Sequence, residues 1–72
     1  MKVKKSISEI AGKNLKRLIK TSKYKTQEEF AYCFGTDVRT VSRWVNNGIN
    51  NLDTLQEIAE FLGIEVLELL ND

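Results

Sequence analysis

The sequence predicts an all-α fold, a compact five-helix bundle, and three observations carry that reading. Apolar residues recur at three- and four-residue spacing rather than in strict alternation. Serine, threonine, aspartate or asparagine stands just ahead of each of the main periodic runs, and glycine closes most of them. No strand pattern, proline linker, repeat or low-complexity segment competes. A chain of 72 residues makes one domain, residues 1–72. At that length only about 60% of the surface exposed on unfolding is buried, so the core has to be economical.

The first helix opens at Ser6-Ile7-Ser8-Glu9, an S-x-x-E capping box, and runs to about Ser22. Ile7, Ile10, Ala11, Leu15, Leu18 and Ile19 form its apolar stripe, and Lys13, Lys16, Arg17 and Lys20 its other face. Gly12 is an internal weakness of about 1 kcal/mol relative to alanine, so the turn before it is expected to fray or bend. Thr26-Gln27-Glu28-Glu29 is a second capping box, followed by Phe30, Ala31 and Phe34 on one face and stopped by Gly35. Asp37 or Thr36 caps a third helix through Val45, with Asn46-Asn47-Gly48 as its exit. Asn51 caps a fourth, with Leu52, Leu55, Ile58, Ala59 and Leu62 as its stripe and Gly63 as its end, and Ile64 to Leu70 adds a last turn or two.

Composition excludes more than it assigns. The apolar fraction of 42% and charged fraction of 29% are those of an ordinary soluble protein. No apolar run approaches the roughly 18 residues of a membrane span, and none follows the basic first five residues as a signal peptide requires, so the cytoplasm is the expected location. Histidine is absent and Cys33 is the only cysteine, expected as a small buried or half-buried helix residue. With no metal cluster, phosphate loop or carboxylate pair in a pocket motif, no enzyme, cofactor or small-molecule substrate is indicated. The net charge of +1 hides a division: residues 1–45 hold all eleven Lys and Arg and four acids, net +7, whereas residues 46–72 hold six acids and no base, net −6. The first part suits a polyanion.

Gln27, Ala31, Gly35, Val41 and Trp44 occupy positions 1, 5, 9, 15 and 18 of a 20-residue window. Two helices crossing through a tight turn need a small residue where their backbones approach, here Ala31, and one tolerant of positive φ at the turn, here Gly35. Phe30, Phe34, Val41 and Trp44 then close the angle from inside, which makes Trp44 a core residue rather than a stacking group. Tyr24 and Tyr32 are left open between cover for the first helix and free surface.

From about Gly12 to Leu70 the sequence resembles the helix-turn-helix domains of the Cro and phage-repressor type, the lambda-repressor-like fold, with the helix-turn-helix at about residues 26–46. Gly35-Thr36-Asp37-Val38-Arg39-Thr40-Val41-Ser42-Arg43-Trp44 is similar to that family's turn and recognition helix. Leu52 to Ala59 with Phe61-Leu62-Gly63-Ile64 is similar to its fourth helix and following turn.

At 100° per residue, Val38, Arg39, Ser42, Arg43 and Asn46 share an arc of about 140° on the third helix, while Val41, Trp44 and Val45 point the other way. The resemblance implies that helix 37–45 enters the major groove. Arginine suits guanine O6 and N7, and valine a thymine methyl, so Val38, Arg39, Ser42 and Arg43 are expected at base edges. Gln27 matches the family residue that holds a phosphate, Thr26 caps the same turn, and Thr40 and Asn46 flank the reading face. Lys23 and Lys25 add sequence-blind attraction, and residues 1–6, with Lys2, Lys4 and Lys5, are either a basic arm on DNA or a plain flexible tail.

Family members often pair an arginine in the first helix with a glutamate at the end of the third; here those positions are Ile19 and Val45, both apolar, an exchange that keeps the contact. The connection from Leu18 to Gln27 is one residue longer than usual, Glu65 stands where a serine cap is common, and Asn50 where a proline is frequent. The resemblance therefore implies sequence-specific double-stranded DNA binding by a transcriptional regulator, a repressor for preference. It would act as a homodimer on a near-palindromic operator, with Val66, Leu67, Leu69 and Leu70 divided between interface and core. The alternatives are a protein-interaction module or an antitoxin-type autoregulator on the same scaffold.

Overall fold

The computed structural model describes residues 6–71, and within them the chain forms α1 (Ile7–Thr21), α2 (Gln27–Phe34), α3 (Val38–Asn47), α4 (Leu52–Leu62) and α5 (Val66–Leu70). Described strands are absent. Among the described residues no helix is long and apolar enough to cross a membrane. Of the expected basic arm, residues 1–5 lie outside the described residues, and Ser6 belongs to α1 as its N-cap.

Each helix up to α4 begins where a side chain can take up a free N–H. Ser6 Oγ accepts from the Glu9 N–H at 3.2 Å, and the Glu9 carboxylate accepts in return from the Ser6 N–H, completing the capping box. Thr26 makes only half of the second box: its Oγ accepts from the Glu29 N–H at 3.1 Å, but its own N–H donates to the Tyr24 carbonyl. Asp37, not Thr36, caps α3, and Asn51 Oδ1 accepts from both the Asp53 and the Thr54 N–H groups. Glu65 starts α5 without a side-chain cap bond. In the connection before α2, Lys25 is a non-glycine residue with φ +67°.

The core is built from one stripe of each helix: Ala11, Leu15 and Ile19; Phe30 and Ala31; Val41; Leu55, Ile58 and Ala59; and Leu69. Ile49, in the α3–α4 connection, joins them, and its N–H donates to the Ser8 carbonyl at 3.0 Å. Helix α1 is the spine, packing against α3 and α5, while α2 packs on α3 and α4 on α5. Tyr24 stacks on Phe61 and meets Phe30 edge to face, so it covers the core, whereas Tyr32 is exposed.

Several expectations need correction. Ile7 and Leu52, counted in the apolar stripes, sit at the first helical positions where the stripe has not yet met a neighbour, and Leu52 is 79% exposed. Cys33 is exposed, because α2 turns Phe30, Ala31 and Phe34 inward and leaves the arc of Tyr32 and Cys33 outside. Helix α3 continues two residues beyond Val45, to Asn47, and ends at Gly48. Gly12 does not interrupt α1, which is continuous from Ile7, and it is itself buried. In α5 the core takes Leu69, with Val66 and Leu70 partly buried, and Leu67 stays 74% exposed.

Candidate nucleic-acid interface

The α2–α3 angle is set by backbone and packing together. Gly35 ends α2 at φ +99°, a left-handed conformation that costs a residue with a Cβ on the order of 1 kcal/mol. The N–H groups of Gly35 and Thr36 both donate to the Ala31 carbonyl, at 3.0 and 2.9 Å, so the chain reverses over the buried alanine. Phe34 then meets Trp44 edge to face at 5.9 Å, and Val41 is fully buried beneath them. Trp44 is half-buried against the core, as a packing role requires.

With Val41 held inside, the opposite face of α3 is presented outward. Val38 is 39% exposed, Arg39 and Arg43 are exposed, and Ser42 between them is half-buried. Asn46 is exposed and its Nδ2 donates to Ser42 Oγ at 3.1 Å, which joins an expected phosphate contact to an expected base contact on consecutive turns. Thr40 is half-buried, and its backbone N–H donates to Asp37 Oδ1 at 2.8 Å. The hydrogen bonds from Thr40 hold the Asp37 carboxyl below its ordinary value of 3.8, with a smaller contribution from the charges of Arg39 and Arg43.

At the start of α2, Thr26 is exposed and Gln27 half-buried. They line a shallow recess with Lys16, Lys20, Lys25 and Glu28, so three lysines and one carboxylate stand around the start of α2. A second recess joins Arg43 to Asn47, Asn50, Asn51 and Thr54, where the end of α3 meets the start of α4. Lys16 and Lys20 were legible only as a charged helix face, and Asn47 and Asn50 only as loop residues. Their grouping depends on how α1 and α4 pack. Arg17, from the same basic face of α1, instead donates through Nη2 to Asn14 Oδ1 at 3.0 Å.

Charge divides along the fold as it does along the sequence: the described Lys and Arg residues stand on α1, the following loop and α3, and none on α4 or α5. Among the described residues no group of His, Cys, Asp and Glu could hold a metal ion.

A tight αL turn between two short helices, with the second exposing arginines over a buried valine, defines a helix-turn-helix DNA-binding domain. The chain belongs to the Cro/C1-type HTH DNA-binding domain family, whose model matches residues 14–72. No curated protein and no solved structure shows a significant match. Members of this family are DNA-binding transcription regulators rather than enzymes, and the partner class is double-stranded DNA.

Proposed function

We propose that this protein is a repressor that reads an operator through α3, with Val38, Arg39, Ser42 and Arg43 at base edges and Thr26, Gln27, Thr40 and Asn46 on phosphates. The observation that carries the proposal is the two-sided α3: Val41 is fully buried, while Arg39 and Arg43 on the other side are exposed. Lys16, Lys20 and Lys25 around the α2 start supply further phosphate attraction. A single recognition helix gives modest affinity, so the protein binds as a homodimer to a near-palindromic site in the cytoplasm. The exposed Leu67, beside Leu70 on α5, supports an apolar contact between copies.

Salt titration of duplex binding tests this against a protein-interaction role. Binding through several phosphates weakens steeply, with a logarithmic slope of about −0.9 per phosphate neutralised. Lys16→Ala and Lys20→Ala each make that slope shallower by about 1. Absence of duplex binding at low salt contradicts the proposal.

A further inference from the structure

We infer that Asp37 is a specificity-determining residue, whose carboxylate accepts the N4 amino group of a cytosine at one edge of the operator half-site and rejects thymine and guanine there. This rests on the α3 reading proposed above. Asp37 is exposed and is the N-cap of α3, directly ahead of Val38 and Arg39, and it is the amino-terminal end of a recognition helix that reaches base edges.

Capping alone does not call for a charge at this position, because asparagine and serine cap as well as aspartate. A carboxylate beside a polyanion is unfavourable unless it meets a donor. Asp37 has the capacity to do so: Oδ1 accepts the Thr40 N–H at 2.8 Å, and a carboxylate offers about four acceptor positions in all. That bond also fixes the carboxylate relative to the helix, so little side-chain freedom is lost on binding. The hydrogen bonds to Thr40, and the nearby Arg39 and Arg43 charges, keep the group ionised.

In the major groove guanine presents only acceptors, thymine an acceptor and a methyl, and adenine a donor next to the N7 acceptor. Cytosine alone presents an amino donor with no acceptor of its own beside it, and it is the base that Asp and Glu side chains read.

The test takes the operator sequence enriched by the protein from random duplexes and varies each position in turn, for the wild-type protein and for Asp37→Ser, which retains an N-cap. Circular dichroism establishes that the variant is folded. At one position the wild type binds the cytosine duplex roughly tenfold tighter than the thymine duplex, as expected for one mismatched pair. Asp37→Ser binds those two within about twofold and keeps its preferences elsewhere. Uniformly tighter binding of Asp37→Ser to every duplex, with an unchanged profile, overturns the inference and leaves Asp37 as a helix cap that repels phosphate. Enrichment of no site by the wild type overturns the α3 reading itself, and this inference with it.

Discussion

The carbonyl oxygen of Trp44 occupies the space where Gly12 has no side chain: a Cβ on Gly12 would collide with that oxygen and stand 3.3 Å from the Gly48 Cα. Gly12 is therefore one of two places where α1 and the end of α3 approach backbone to backbone; at the other, a Cβ on Gly48 would stand 2.9 Å from the Ser8 carbonyl.

Gly12→Ala is expected to lower stability although it favours helix by about 1 kcal/mol, because the colliding atom is backbone and must shift. A net loss of about 1–2 kcal/mol lowers Tm by roughly 4–8 °C per kcal/mol in a domain of this size. Thermal denaturation checks it, and a Tm at or above wild type contradicts the close approach.

Asn14 is the one buried polar residue of the described core, 7% exposed. Its Nδ2 donates to the Leu69 carbonyl at 2.7 Å and the Asn71 carbonyl at 3.0 Å, joining α1 to the end of α5. Asn14→Leu preserves bulk and removes both donors, leaving carbonyls at the end of α5 without that partner. The expected cost is about 1–3 kcal/mol, read from urea denaturation, with an unchanged midpoint as the contrary result.

Val45→Glu places a carboxylate against the core beside α1, where Ile19 is 2% exposed and Val45 is partly buried. Thermal stability falls. Combined with Ile19→Arg, the loss is smaller than the sum of the two single losses, since each charge then has a partner. A double variant no better than the sum of the single ones contradicts a contact between these positions.

Asp37 makes the start of α3 sensitive to acid. Its carboxyl titrates below 3.8 in the folded protein, so the stability it contributes is fully present above that value and is lost as pH falls through the lower folded one. Asp37→Ser lacks this component, and its Tm declines less than that of the wild type between pH 5 and pH 2. Parallel declines contradict the assignment.

How much of this was legible depends on the range of the interaction. Ser6, Thr26, Asp37 and Asn51 act on N–H groups two or three residues away, so the caps were legible locally, although the choice of Asp37 over Thr36 and the missing half of the Thr26 box were not. Phe30, Ala31, Val41 and Trp44 were legible from their spacing because the helix-turn-helix packs residues close in sequence. Gly12 misled, since its fit to Trp44 is invisible to helix propensity, and Asn14 went unnoticed because its partners lie 55 and 57 residues away. The outward arc of α3 followed from helical periodicity alone. The grouping of Lys16 and Lys20 with Thr26 and Gln27 needed the packed positions of α1 and α2.

Whether α3 reads sequence is decided by selecting bound DNA from a pool of random duplexes at near-physiological salt, with wild type, Arg39→Ala and Arg43→Ala side by side. The wild type is expected to enrich one motif and each variant to relax its preference at a distinct position, with a cost of about 1–3 kcal/mol per lost arginine contact. A motif that both variants enrich unchanged, or no enriched motif at all, would contradict reading by α3.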